Sequence, residues 1–396
     1  MRRLTLLPLL FATVAACNAG GEGVEAANAA GAGATAAAAV GGKPFAVQPV
    51  GDFEEPWAMA FLPNGDALVT ERKGKLMVWS RNGGGAPTIT EVMGVPEVDY
   101  GGQGGLGDVV VHPKNGMIYL SWVEAGPNDT RGAVVGRARL LAMSAAVPGA
   151  RAGYRLEGMQ VIWRQSPKVE GRGHFGHRIA IGPDGKLYIT NGDRQKFEPA
   201  QDMTGTLGKI VRLNDDGSVP SDNPFASRGG ATAQIWTLGH RNPLGLAFAP
   251  DGKLWQHEMG PKRGDEFNLI ERGTNYGYPI VSNGNHYDGK DIPDHDTRPE
   301  FNAPEITFHE VSPAGLAFYI GKLFPQWRGS AFMGGLSGQT LIRVAVSGNT
   351  AREAERWDMG ARVREVEAGP DGALYVLEDG GRGSEGRLLR LAPAGR

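Results

Sequence analysis

Short apolar runs, each interrupted by a proline-and-glycine turn and resumed just after it, recur along the chain. Residues 58–61 lead into Pro63-Asn64-Gly65 and then 67–70. Residues 108–111 precede Pro113, Asn115-Gly116 and 117–120. The clearest copy is residues 179–181, Pro183-Asp184-Gly185 and 187–190; 245–248 and 366–368 each open onto a further Pro-Asp-Gly turn. A degenerate copy, 315–318, is followed by a longer insertion before 331–333. Strand, turn and strand with no helical period between copies reads as a β-hairpin unit. Copies recurring at roughly 50 to 70 residues imply a repeat architecture. The fold class expected is therefore all-β: a six-bladed β-propeller of four-stranded antiparallel sheets around a central channel. Residues 45–50 look like an outer strand able to close the ring beside the last blade.

Composition narrows the partners. Of 396 residues, 41 are basic and 43 acidic, a net charge of -2, and phosphate binding wants a clear basic excess. Nucleic acid is excluded as the main partner. Glycine, at 61 residues, suits many tight turns. The first 16 residues read as a lipoprotein-type signal peptide: Arg2-Arg3, an apolar stretch over 4–14, then Ala15-Ala16. Cys17, the single cysteine, follows as the expected lipidation site and rules out an internal disulfide. Residues 17–44 form an Ala/Gly-rich flexible tether, and 45–396 the propeller. The expectation is an exported, periplasmic protein that meets the membrane only through an N-terminal lipid. Asn18 after the cysteine favours the outer membrane.

Propeller phase makes a statement about chemistry. Every loop leading into an innermost strand opens at the same mouth. Those loops carry Glu55-Pro56-Trp57, Gln103 among four glycines, His174 to His177, His240-Arg241-Asn242, Glu310 to Ser312, and Arg362 with Arg364. Polar groups scattered in sequence but equivalent in phase make a pocket candidate. His174, with an ordinary pKa near ~6.5, is the natural general base. Arg241, Arg362 and Arg364 suit a ligand rich in carboxylates or carbonyls. His177 and His240 read as structural, and His112 as a turn residue.

Gly101 to Asp108, His174 to Asp193, Leu238 to Gly245, His257 to Tyr278 and Arg362 to Asp379 together resemble the soluble quinoprotein sugar dehydrogenases, the glucose/sorbosone or aldose sugar dehydrogenase family. That resemblance implies pyrroloquinoline quinone (PQQ) and Ca2+ at the propeller mouth. It implies that His174 takes the proton of the anomeric hydroxyl while hydride passes to the quinone, giving a lactone. Arg241 and Asn242 match the pair at the quinone carbonyl, Gln103 a side chain beside sugar and quinone, and Arg362 and Arg364 the cofactor carboxylate binders. Gly260 and Pro261 match carbonyl ligands of the active-site calcium, and Asp265 and Glu266 part of a second calcium region. Two positions depart from the family pattern. Ser337 stands where a lysine is usual, and Gly173 where an acid precedes the base. The implied partners are an aldose and a quinone or haem electron acceptor, in a monomer or homodimer. The alternative left open is a non-redox carbohydrate-binding or lactonase-like propeller that has lost PQQ.

Overall fold

The computed structural model describes residues 42–81, 86–144 and 153–394. The expected signal peptide, Cys17 and all of the tether except Gly42, Lys43 and Pro44 lie outside them. Among the described residues no helix is long and apolar enough to cross a membrane.

Six blades of four strands follow one another along the chain. Blade 1 is Pro56–Phe61, Ala67–Glu71, Lys75–Ser80 and Thr88–Met93; blade 2 is Leu106–Val111, Ile118–Ala125, Arg131–Met143 and Gly153–Arg164. Blade 3 is Gly176–Ile181, Leu187–Asn191, Lys209–Leu213 and Ile235–Leu238; blade 4 is Pro243–Phe248, Leu254–Glu258, Asp265–Ile270 and Ile306–Phe308. Blade 5 is Pro313–Phe318, Ala331–Gly335, Thr340–Ser347 and Thr350–Asp358. Blade 6 takes three strands from the C-terminal end, Val363–Ala368, Leu374–Glu378 and Arg387–Pro393, and its outer strand, Phe45–Asp52, from the beginning. Phe45 pairs with Pro393. Its ring also meets Trp327 and Trp357 edge-on, at centroid distances of 6.1 and 5.3 Å. Each innermost strand packs on the next, blade 6 returning to blade 1.

One departure from the expected pattern is that blades 1 and 2 form a single eight-stranded sheet. Their outer strands touch through a short parallel pairing, Val92 to Tyr154 and Met93 to Arg155. Blade 2's last two strands run 13 and 12 residues, long enough to reach their neighbour.

Every innermost strand also carries a register shift near its start, as between Pro56 and Ala58, Gly176 and Ile179, Pro243 and Gly245, and Val363 and Glu365. Leu106 to Val109 and Ala314 to Leu316 repeat it. A bulge bends its strand and re-aims the side chains beside it. Six bulges in one phase turn the residues just upstream toward the channel mouth.

Below the mouth the channel is filled by charge rather than water-facing polar groups. Buried Arg178 donates to Glu365, to Asp108 (3.3 Å) and to the Leu244 carbonyl (2.9 Å), and lies 3.9 Å from the Trp57 ring. Burial pushes the Glu365 carboxyl up to about 7 despite that guanidinium. The second terminal guanidinium nitrogen of Arg178 finds no partner among the described residues, and charges paired this way fix geometry more than they stabilise.

Candidate active site

The loops collected by phase do converge. A cavity of about 550 Å³ is lined from all six blades, by Trp57, Gln103, His177, Leu244, Ser337 and Arg364 among others. Beside it a second cavity of about 270 Å³ holds His174, Arg241 and Pro261. Of the residues singled out in the sequence, Gln103, Ser337, Arg362 and Arg364 line the first. Asn242, Gly260, Asp265 and Glu266 line neither, and lie buried in blade 4 or the loop ahead of it.

His174 sits at φ 48, an unusual value for a side-chain-bearing residue, and is held from two sides. Its amide donates to Gln103 Oε1 (2.7 Å), which ties the two cavities together. Its Nδ1 lies 2.7 Å from Asp193 Oδ1, and Asp193 is fully buried. Asp193 accepts from the ring's Nδ1–H, leaving Nε2 as a bare acceptor. Burial lowers the His174 pKa, and the Asp193 hydrogen bond offsets this only in part, with Arg241 and Arg194 opposing protonation. That direction favours the neutral ring.

Asp193 does more than orient the ring. It also accepts from the backbone of Gln195 (3.0 Å) and Phe197 (3.3 Å), so one carboxylate sets the base and the loop after it. Arg194, only 1% exposed, donates to the carbonyls of Gly173 (2.8 Å), Arg131 (2.8 Å) and Gly171, and its guanidinium lies 3.7 Å from the Phe175 ring. It clamps the histidine loop from behind. Gly173 has a local reason as well: a Cβ there would collide with the Gln195 amide, which occupies that space.

Arg241 NH1 donates to the Met259 carbonyl (2.8 Å) and its amide to Glu258 Oε2 (2.7 Å). Asn242 is fully buried, and its Oδ1 finds no hydrogen-bond partner among the described residues. Arg362 Nε and Arg364 Nε and NH2 converge on Asp379, at 2.7, 2.8 and 2.6 Å. Burial would raise the Asp379 pKa, but the two guanidiniums hold it below the usual carboxylate range. Two cations share one anion, so a positive charge is left over at the mouth. Ser337 bonds the Glu310 carbonyl (3.1 Å) and Ser312 Oγ (2.8 Å) and brings no charge.

Sequence reasoning missed the partner rank: Asp193, Glu258 and Asp379. A phase signal existed. Each lies at or just beyond the end of a blade's second strand, which runs back to the same mouth. Acids there face the bases of the first strand. His177, which lines the larger cavity, bonds Ser121 Oγ (2.7 Å), and His240 bonds Thr237 Oγ1 (2.8 Å), side chains rather than the loop backbone expected. His112 Nδ1 accepts from the Lys114 amide within its turn (3.1 Å).

A closed six-bladed propeller with a carboxylate-held histidine beside an arginine-lined cavity defines the class. Residues 53–390 match the family model described as Glucose / Sorbosone dehydrogenase, and the chain belongs to that family. It is an oxidoreductase acting on sugar donors. The aldose sugar dehydrogenase YliI of Escherichia coli K12 is 39% identical over 350 residues, 86% of this chain and 90% of that protein. A crystal structure of a glucose dehydrogenase superposes with TM-score 0.80 at 38% identity, covering 88% of this chain and all of the other. The PQQ-bound aldose sugar dehydrogenase of Streptomyces coelicolor gives TM-score 0.69 at 28% identity, over 88% and 98% of the two chains.

Proposed function

We propose that this chain is an exported PQQ- and calcium-dependent aldose dehydrogenase that oxidises the anomeric carbon to a lactone and hands electrons to a quinone or haem acceptor. The observation that carries the reading is His174, held by Asp193 through Nδ1, beside Arg241 at the edge of a cavity lined by Arg362 and Arg364.

The residues suit PQQ. Its carboxylates need cations, and Arg362 and Arg364 share only Asp379. Its flat ring system needs an apolar bed, which Trp57, Leu244, Met259 and Leu336 supply. When bound, it supplies a two-electron acceptor at a quinone carbonyl. Arg241, which lines the smaller cavity, would place positive charge where negative charge develops, while buried Asn242 lies behind it. His174 Nε2 would take the proton of the anomeric hydroxyl, the bound cofactor supplying the acceptor for the C1 hydride.

Calcium suits blade 4. Glu258 and Glu266 face each other across adjacent strands, both buried. Burial lifts Glu258 to about 7, and burial plus the Glu258 charge lifts Glu266 well above the ordinary range. Two carboxyls in that position want a proton or a hard cation between them. The carbonyls of Gly260 and Pro261 lie on the loop between the same strands. Asp265 supports that loop, accepting from the amides of Gly260 (3.2 Å), Val311 (3.1 Å) and Ser312 (2.8 Å).

Cys17 as a lipidated first residue and an outer-membrane tether complete the reading. The lactonase alternative needs mouth carboxylates free to ligate, and Asp193 and Asp379 are engaged by His174 and the arginines. The test is titration of the apo-protein with PQQ and Ca2+, followed by dye reduction with a panel of aldoses. Saturable binding with sugar-dependent reduction is expected. No binding at micromolar PQQ with calcium present would overturn the reading.

A further inference from the structure

Charge in the larger cavity is uneven. Its lining holds four guanidiniums, Arg72, Arg362, Arg364 and Arg382, against two carboxylates, Glu55 and Asp379. Arg72 is engaged by Glu55 (3.2 Å) and by the carbonyls of Gly102 (2.5 Å) and Gly104 (3.2 Å). Arg362 and Arg364 share Asp379. Arg382 is exposed and has neither an ion-pair nor a hydrogen-bond partner among the described residues. Of the cations at this cavity, it is the one whose donors are all free.

Its place follows from blade phase. The connection between second and third strands opens at the mouth and contributes Arg72 in blade 1, Ser337 in blade 5 and Arg382 in blade 6. In blade 1 it spans three residues, 72–74; in blade 6 it spans eight, 379–386, of which four are glycine. The ends of the longer one are fixed. The Phe53 amide donates to the Gly386 carbonyl (3.0 Å), and a Cβ on Gly386 would lie 2.2 Å from the Phe53 oxygen. One on Gly380 would lie 2.7 Å from the Glu55 nitrogen, so glycine is what lets both ends approach so closely. The tip is loosely tied. The Ser384 amide donates to the Gly381 carbonyl (3.1 Å), and around Gly383 there is open space. Arg382 itself turns the chain there at φ 52. One arginine between glycines, hung from two anchored ends, makes a flap whose guanidinium can swing without disturbing a blade.

The occupant this suits is anionic at more than one edge. Arg362 and Arg364 sit at the foot of the wall that blade 6 contributes, already half neutralised by Asp379, whereas Arg382 belongs to the rim of the same blade. The bed between carries Trp57, Leu244 and Leu336, which fit a flat ring system. A guanidinium that is free before binding can give a carboxylate two parallel hydrogen bonds without first breaking a pair within the protein.

Resting on the PQQ reading, we infer that Arg382 is a clamp: it closes over the occupied larger cavity and pairs with a carboxylate of the bound cofactor. It supplies from the rim of blade 6 the charge that Ser337 on the rim of blade 5 does not.

The test is binding rather than turnover. Apo-protein with Ca2+ present is titrated with PQQ, read by fluorescence, in the wild type, Arg382→Ala and Arg382→Lys. The Kd should rise about tenfold in the alanine variant and about threefold or less in the lysine variant, which keeps the charge but not the fork. With the trimethyl ester of PQQ, whose carboxylates carry no charge, the wild type and Arg382→Ala should bind alike. Trypsin cleavage after Arg382, mapped by mass spectrometry, should slow about tenfold or more once PQQ is bound to the wild type, as closure of the flap requires. An equal Kd in the wild type and Arg382→Ala, or cleavage as fast with PQQ as without it, overturns the clamp. A loss of affinity that persists with the ester makes the arginine a structural residue and overturns it too. If the wild type binds no PQQ, the proposed function fails. The same cleavage assay with benzene-1,3,5-tricarboxylate, a planar trianion, then decides the clamp: protection at Arg382 keeps it as an anion clamp, and no protection removes it.

Discussion

The two cavities at the mouth differ in how they are built. The larger one combines residues leading into innermost strands, turned inward by the same bulge in blade after blade, with residues just after second strands such as Arg72, Met259, Ser337 and Asp379. Its chemistry is cationic, with Arg362 and Arg364 held by Asp379. The smaller one takes His174 and Arg241 from repeat positions, but most of the rest of its wall comes from two long connections, 194–207 in blade 3 and 277–297 in blade 4. Under the proposed function, the repeated scaffold would hold the fixed, charged cofactor and the long connections would shape the substrate side.

Substitutions that separate the two cavities test this division. The largest effect belongs to His174→Ala, which should lower kcat by about 10²–10⁴-fold while PQQ affinity, read by fluorescence titration, stays near the wild-type value. Weakened PQQ binding with turnover retained would merge the two cavities into one functional unit. Arg362→Ala should act the other way, raising the PQQ Kd about tenfold to a hundredfold before any change in the sugar KM. An unaltered Kd would remove the arginine from the cofactor side. Ser337→Lys should tighten PQQ binding by roughly tenfold, since it adds a cation at the rim of the same cavity and disturbs no buried pair.

The pH dependence sharpens the histidine side. The base must be neutral, and burial lowers its pKa below the ordinary 6.5, so the acid limb of kcat/KM should lie below pH 6.5. Asp193→Asn removes the group that favours protonation and should move that limb lower still, together with a loss of kcat. A limb at or above 6.5 would mean that the carboxylate outweighs burial. A separate effect, on stability rather than activity, comes from the buried histidines. His177, His240 and His257 are each pushed by burial to about 3. With folded values below the unfolded one, their contribution is present above pH 6.5 and is lost as pH falls toward 3. Each adds about 1.4 kcal/mol per pH unit within that window, which thermal melts between pH 7 and 4 will register.

This contrast also explains what was legible in the sequence. The blade count, the closing strand and the convergence of Gln103, His174, Arg241, Arg362 and Arg364 follow from a repeat whose phase fixes direction. Asp193, Glu258 and Asp379 were recoverable by the same logic applied to the second strands, because their position in the blade is constant. Phe197, Gln195 and Tyr287 were not, since an insertion has no phase and its side chains take direction from contacts the sequence does not encode locally. The parallel junction of blades 1 and 2 was hidden for the same reason: Val92 and Met93 look like any outer strand.

The first strand to be synthesised is the last to find its place. Phe45–Asp52 has no partner until Arg387–Pro393 exists, so the ring stays open through translation of nearly the whole chain. Closing so long a loop adds little entropy cost beyond a shorter one, about 0.6 kcal/mol per doubling, but such non-local pairing is slow. If the chain is exported as proposed, that delay is useful: an open ring is still threadable, and the completed fold arises only after the final hairpin has followed. Pulsed hydrogen exchange during refolding should find the amides of residues 46–48 protected after those of blade 3, and simultaneous protection would mean that the ring closes as a unit.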